Sequence, residues 1–334
     1  MRQLKDQLTD APVFSKEVLN WIVNENLWNI WVPKQFGGLE LSLKDGLKKL
    51  QILARLDGSL GWTVTLCSGA NFFIGNLKPV VANELFKSPA IFGGSGGMFG
   101  TATKQGDSYR LNGTWRYTTG APYLTHFTLN ARIIENGKEQ FNEDGTPKFL
   151  SFMIPADHVK IIEDWNTMGL KASATHSFEV NDVIVNERYS FVYNEFHQPQ
   201  DIFKIHFSVF ADLTLWVNYV GMAEHYLEEA MKVAQKMDYE HLNIVIAHAN
   251  EKINERATEV ISLIEEAGQF SEELISDIHQ DAAKSVKQLS ASIIGLHPLL
   301  GVKASREDHI LNQIFRDYFT GTQHHIFTSG NENH

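Results

Sequence analysis

The sequence predicts an α+β chain in three parts, with a helical first region, a small β region and a C-terminal helical bundle. Three observations carry this. Apolar residues recur at three- and four-residue spacing before residue 88 and again after 197. Between them lie short alternating segments broken by turn dipeptides, Gly106-Asp107 and Asn112-Gly113 among them. The long C-terminal segments are joined by short links, so they pack antiparallel. The expected units are residues 1–88, 89–197 and 198–334.

Within the first unit, Val18, Leu19, Ile22, Val23 and Leu27 make one apolar face of a helix over 13–31, which Pro33 stops. Gln35-Phe36-Gly37-Gly38 is a tight turn. A second helix runs over 42–56 with Leu43, Leu47, Leu50 and Ala54 on one side, and Asp57-Gly58-Ser59 breaks it. The segment 60–77 is apolar and rich in small residues, so it reads as a buried helix. A short helix around Glu84, Leu85 and Phe86 closes the unit.

The second unit opens on IFGGSGGMFGTATKQGDSYRLNGTWRYTTG, residues 91–120. Tyr109 and Leu111, then Trp115 and Tyr117, alternate with polar neighbours, so the two turn signals imply three short strands in a meander. Further strands fall at 149–154, 159–162 and 178–185, giving a small antiparallel barrel or sandwich. The glycines before the meander do not fall as G-x-G-x-x-G, and a strand follows them where a dinucleotide fold requires a helix. In the third unit long helices cover 213–236 and 244–267. Gly268 closes the second of these, Ser271 opens a third, and a last helix runs over 306–319.

Composition excludes several classes. The 334 residues carry a net charge of −11, and no Lys/Arg cluster offers a phosphate-binding surface, so no nucleic-acid partner is expected. A single cysteine, Cys67, fits a reducing compartment. The start MRQLKDQLTD is too polar for a signal peptide, and no apolar run approaches the roughly 20 residues of a membrane helix. A cytoplasmic protein without a membrane partner is the expectation. No H-E-x-x-H, G-x-S-x-G or P-loop is present, and no metal site is expected.

Five motifs in this order resemble the acyl-CoA dehydrogenase superfamily. Val32-Pro33-Lys34-Gln35-Phe36-Gly37-Gly38-Leu39 is similar to its V-P-x-x-(Y/F)-G-G-x turn. Asp57-Gly58-Ser59-Leu60-Gly61-Trp62 resembles the D-x-S-x-G-W run of one branch, and the stretch from Leu111 to Gly120 resembles the strand that lies along a flavin. Trp165-Asn166-Thr167-Met168-Gly169-Leu170-Lys171-Ala172-Ser173-Ala174-Thr175 matches W-x-x-x-G-(L/M)-R-G-T-G-S with small residues in place of G-T-G. Phe315-Arg316-Asp317 with His324 resembles the ending of the two-component flavin monooxygenase branch.

That resemblance implies FAD or FMN between the β region and the bundle, and names candidate residues. Thr118 and Thr119 fall near the flavin N5 edge, with plain strand propensity as the other reading. Trp115 packs on the flavin or fills the strand's apolar face. Gly94 and Ser95, in the 93–97 segment, present backbone N–H groups to a ring carbonyl or phosphate, or simply flex. Thr175 matches a serine that touches the flavin phosphate, and Arg316 belongs to the C-terminal motif. His324 sits over the flavin as a proton-transfer group, or belongs to an exposed terminus. By the same resemblance, reduced flavin comes from a separate reductase, the substrate is an aromatic or other apolar small molecule, and the assembly is a homotetramer or homodimer. The alternative of acyl-CoA dehydrogenation needs a carboxylate base. Ala211 stands at its place on the first bundle helix, with Asp212 offset by one residue, which turns it about 100° away. No Gln-x-x-Gly-Gly segment reaching a neighbour's flavin is present. A third reading is a degenerate member without turnover.

Overall fold

The computed structural model describes residues 7–9 and 11–327. Most of the opening MRQLKDQLTD lies outside that range, as does the terminal TSGNENH.

Helix α1 (Lys16–Asn24) begins at Ser15, whose hydroxyl accepts from the Val18 amide, and buries Val18 and Ile22. It is shorter than its periodicity suggested, because Glu25 caps it and a separate 3-10 turn spans Leu27–Asn29. Helix α2 (Leu43–Leu56) is capped by Ser42. Its Gly46 is a packing site, since a Cβ there would stand 2.0 Å from the Trp31 ring. Asp57 does not merely break the chain: its carboxylate accepts from Leu60 N and opens helix α3 (Gly58–Asn71). α3 is almost wholly buried, its Ser59, Thr63, Thr65, Ser68 and Asn71 side chains included, as befits a central helix. Gly61 lets it lie on α2, where a Cβ would meet Ala54 Cα at 2.3 Å. Helix α4 (Pro79–Leu85) starts on proline.

The β unit is one sheet of eight strands: β1 (Phe92–Gln105), β2 (Ser108–Thr118), β3 (His126–Glu135), β4 (Lys138–Glu139), β5 (Phe149–Pro155), β6 (Lys160–Ile162), β7 (His176–Asn186) and β8 (Ser190–Phe191). Their order is β6-β7-β2-β1-β3-β5-β8, with β4 beside β3. Two expectations are corrected. The meander has two strands here, since Asn112-Gly113 lies within β2 at a register shift against β7. Gly113 serves close packing there: a Cβ would stand 2.6 Å from Gly100 Cα, and the Asn112 side chain accepts from Asp182 N. The sheet is also not wholly antiparallel, for β3 runs parallel to β1. The turn at Ala121–Tyr123 carries the chain past β1 before it re-enters the sheet on the far side.

Helices α5 (Phe207–Val233), α6 (Glu240–Glu265), α7 (Glu272–Leu296), the short α8 (Val302–Ser305) and α9 (Ile310–Gly321) complete the fold. α5 is central, with Trp216, Tyr219 and Tyr226 fully buried. α2 lies against it at Gly221, where a Cβ would meet Gln51 O at 2.4 Å.

Candidate active site

A cavity of about 800 Å³ opens between the sheet and the helices. Three segments build its walls, each for a local reason.

The first wall is the glycine segment of β1. Residues 96–99 stand against the single residue Asn130 of β3, because Ser95 pairs with Leu129 and Gly100 with Ala131. This bulge is held by Asn130, whose amide donates to Gly96 O at 2.8 Å. Gly94 is dictated by the sheet, since a Cβ there would lie 2.0 Å from Thr128 O. Gly96, by contrast, has open space where a Cβ would stand. Gly94, Ser95, Gly96 and Gly97 all line the cavity. The Ser95 hydroxyl is already spent on Arg116 O.

The second wall is a set of hydroxyls from two segments far apart in sequence. Gly120, two residues beyond β2, turns the chain at φ 74°, and its N–H donates to Ser173 O at 2.7 Å, which brings Thr119 beside the 165–175 loop. Thr119 Oγ1 lies 3.1 Å from Thr175 Oγ1, Thr175 Oγ1 lies 2.8 Å from Ser173 Oγ, and Ser173 Oγ lies 2.6 Å from Leu170 O. Leu170 O is a carbonyl, so the proton in that contact belongs to Ser173. Each hydroxyl has one proton, so Thr175 then donates to Ser173 and Thr119 to Thr175. Thr119 is left facing the cavity with lone pairs alone.

The 165–175 loop is fastened to α9. Asp317 accepts from Leu170 N at 2.5 Å, and Arg316 donates to Met168 O at 2.6 Å. Gly169 allows the close approach, since a Cβ would stand 2.2 Å from Arg316 C and O. Ala174, where the family pattern has glycine, sits at φ 42°, a left-handed conformation costly for any residue with a Cβ. Behind the loop Asp317 is buried beside Asp57, and Gln313 donates to Asp57 Oδ2 at 3.1 Å. Burial, and for Asp317 the neighbouring Asp57 charge, push both carboxyls upward, Asp57 to about 6 and Asp317 to about 8.

The third wall comes from one face of α3 (Trp62, Thr65, Leu66, Gly69) and one face of α5 (Phe207, Phe210, Ala211, Thr214). The sequence placed α3 in the core and named Trp62 in a motif and Ala211 as the place of an absent base, but gave the other residues of this wall no role. Their spacing of three and four residues marks a face, but a helix buried on every side does not reveal which face meets a cavity. At the end of α9 the cavity meets His324, whose ring lies 5.7 Å edge-on from Trp62. His324 Nδ1 accepts from Ile326 N at 3.4 Å, which leaves the Nε2 position to carry the proton of the neutral ring.

Of the residues expected at a site, Gly94, Ser95, Thr119, Thr175 and His324 line this one cavity. Four others do not. Trp115 is fully buried, stacks on Phe178 at 5.5 Å and donates from Nε1 to Asn130 O at 2.8 Å, so it belongs to the sheet core. Thr118 alternates to the opposite side of the strand from Thr119 and is buried, its hydroxyl without a partner among the described residues. Arg316 acts behind the loop. Asp212 turns away as the helical offset requires: it is 2% exposed and accepts from or pairs with His279 Nδ1 at 3.1 Å. Burial pushes the Asp212 carboxyl up, against the His279 bond that lowers it.

No family model matches the chain. An indole-3-acetate monooxygenase of Acinetobacter baumannii is 27% identical over 223 residues, which cover 66% of this chain and 56% of that protein. The chain thus matches little more than half the length of that relative. The crystal structure of the HsaA monooxygenase from M. tuberculosis superposes with a TM-score of 0.87 at 18% identity, covering 98% of this chain and 91% of that one. XiaF from Streptomyces sp., in complex with FADH2 and glycerol, superposes with a TM-score of 0.86 at 19% identity over 97% of this chain and 88% of that one. The chain has the acyl-CoA dehydrogenase fold. Among its relatives is also the HsaA oxygenase subunit of Rhodococcus jostii, named a flavin-dependent monooxygenase and 19% identical over 187 residues, which cover 55% of this chain and 47% of that protein.

Proposed function

We propose that this protein is the oxygenase component of a two-component flavin-dependent monooxygenase, inserting an oxygen atom into an aromatic or apolar small molecule with reduced flavin from a separate reductase. The observation that carries the reading is the chemistry lining the cavity. Thr119 can only accept a hydrogen bond, and the reduced isoalloxazine carries a ring N–H where the oxidised ring has a lone pair. Of acidic side chains only Asp164 lines the cavity among the described residues, and it is exposed, so no buried carboxylate stands ready to remove a substrate proton. Ala211 occupies the place where a dehydrogenase would carry its base. That weighs against acyl-CoA dehydrogenation.

The residues present fit a flavin. Bare backbone at 93–97 offers a flat approach, Thr119 and Thr175 offer oriented oxygens, and the cavity is large enough for a tricyclic ring with a second small molecule. FMN and FAD both satisfy this set. When bound, reduced flavin supplies the electrons that activate dioxygen. The chain's own part is to orient the ring through the Thr119 chain, to exclude water with the apolar helical wall, and to hold a proton on His324 at the cavity edge.

We further propose that copies associate through the bundle, where Ile244, Ile294, Leu299 and Val302 are each more than half exposed. A cytoplasmic location remains part of the same proposal.

Anaerobic titration separates the readings. Protein that binds reduced FMN or FAD more tightly than the oxidised form, and whose bound oxidised flavin is not bleached by an acyl-CoA, behaves as an oxygenase component. Bleaching by an acyl-CoA would overturn the reading in favour of dehydrogenation. Failure to bind either form would overturn it in favour of a degenerate member.

A further inference from the structure

Resting on the reading that this cavity receives the substrate, its helical wall narrows the substrate class. Leu66, Phe73, Phe207, Phe210, Ala211 and Leu215 give that wall an apolar surface. Apart from His324, which stands beside Trp62, the ionisable Asp, Glu, Lys and Arg side chains lining the cavity among the described residues are Arg116 and Asp164, both exposed. The N-terminus of α5 reaches the cavity at Phe207, but the Phe207 amide is taken by Asn194 Oδ1 at 2.8 Å. The apolar side chains of this wall offer a buried carboxylate no cation, so an arylacetate lodged against them away from His324 would be held at a cost far above that of a neutral ring.

The wall does carry two hydroxyls, and their hydrogen bonds give them opposite roles. Thr214 Oγ1 donates back to Phe210 O at 2.9 Å and Ala211 O at 3.1 Å, so its proton is spent. One turn along the same helix, Asn218 donates its amide to Thr65 Oγ1. That bond uses a lone pair of Thr65 and leaves its proton, which meets no acceptor among the described residues. Thr65 is 2% exposed and lines the cavity. A buried hydroxyl proton without an acceptor is costly and is satisfied by a ligand.

We propose that the helical wall takes an uncharged aromatic ring bearing one oxygen acceptor, that Thr65 donates to this oxygen and determines the specificity, and that arylcarboxylates are excluded. A neutral ring fills the space between α3 and α5, and its hydroxyl or carbonyl oxygen lies at the Thr65–Asn218 seam. The Thr214 oxygen, already a donor to the backbone, remains able to accept a proton from a phenol.

The test uses the flavin-free protein, titrated by tryptophan fluorescence and by calorimetry with naphthol, naphthalene and naphthoate. Naphthol is expected to bind roughly tenfold more tightly than naphthalene and at least tenfold more tightly than naphthoate. In Thr65→Val the naphthol affinity falls to that of naphthalene, whose own affinity is unchanged, while Thr65→Ser retains the preference. Naphthoate binding as tightly as naphthol overturns the proposal, as does an undiminished naphthol preference in Thr65→Val. Because no flavin or turnover enters, loss of the oxygenase reading would leave this ranking standing, and loss of the ranking would leave oxygen insertion untouched.

Discussion

Replacing Ser173 by alanine tests the polarity of the hydroxyl chain from a distance. Ser173 is fully buried and does not line the cavity, so it reaches any ligand only through Thr175 and Thr119. Removing its Oγ takes away the acceptor of Thr175, whose proton then turns to Thr119 at 3.1 Å. Thr119 in turn gains a proton to offer the cavity. Leu170 O keeps the Trp165 indole N–H at 2.9 Å and the residue-173 amide at 3.1 Å, so no buried carbonyl is orphaned. The cost in stability is accordingly about one hydrogen bond, ~1 kcal/mol, read as a fall of a few degrees in Tm. The effect on ligand choice is larger. An acceptor-only Thr119 favours the reduced ring by one hydrogen bond, and a donor favours the oxidised ring by a comparable amount. The ratio of oxidised to reduced flavin dissociation constants therefore falls by roughly tenfold, chiefly through tighter binding of the oxidised form. Fluorimetric titration under argon, with both flavin forms, measures it. A variant that loses the expected stability yet keeps the parent ratio would refute the claim that flavin reads the Thr119 proton.

Three further predictions follow from the same geometry. Asp317→Asn keeps an acceptor for Leu170 N and removes one charge from the buried pair. Because the folded state raises the Asp317 carboxyl from 3.8 to about 8, folding takes up a proton, and stability present below the ordinary carboxylate range is lost as pH rises through about 8. The variant should show a flatter dependence of Tm on pH and a higher Tm than the parent above that range, measured by circular dichroism. Gly169→Ala forces the loop off α9, since its Cβ would stand 2.2 Å from the Arg316 carbonyl, and is expected to cost more than 2 kcal/mol and to abolish flavin binding. His324→Ala leaves the core intact, so Tm should stay within about 2 °C while the fraction of reduced flavin coupled to hydroxylation drops at least tenfold; unchanged coupling would remove His324 from the reaction.

The elements were legible where a period or a cap speaks for itself. Ser42 and Ser271 mark helix starts by their side chains, and Gly106-Asp107 marks the turn between β1 and β2. Asn112-Gly113 carried the same turn signature and misled, because a glycine required by packing against Gly100 looks in sequence like one required by a turn. At the site, the strand end at Thr119 and the C-terminal His324 could be picked out by motif. Thr118 could not be separated from it, since one residue along a strand decides between core and cavity, nor could Trp115, which has the parity of Thr119 and is set apart by the register shift between Trp115 and Thr118. The 100° offset of Asp212 from Ala211 was readable, but its bond to His279, 67 residues on, was not. Nor was the hydroxyl chain, because Thr119 and Ser173, 54 positions apart in the chain, are brought together by tertiary contacts such as the Gly120 to Ser173 backbone bond. Long-range meetings of this kind leave no period in the sequence.

The central claim is oxygen insertion, and isotope-labelled dioxygen tests it most directly. Protein supplied with reduced flavin by a separate reductase and offered a neutral phenol under labelled dioxygen should yield a product carrying one labelled oxygen atom, detected by mass spectrometry, with the second atom released as water. A product without label, or oxidation of an acyl thioester in place of the phenol, would contradict the account.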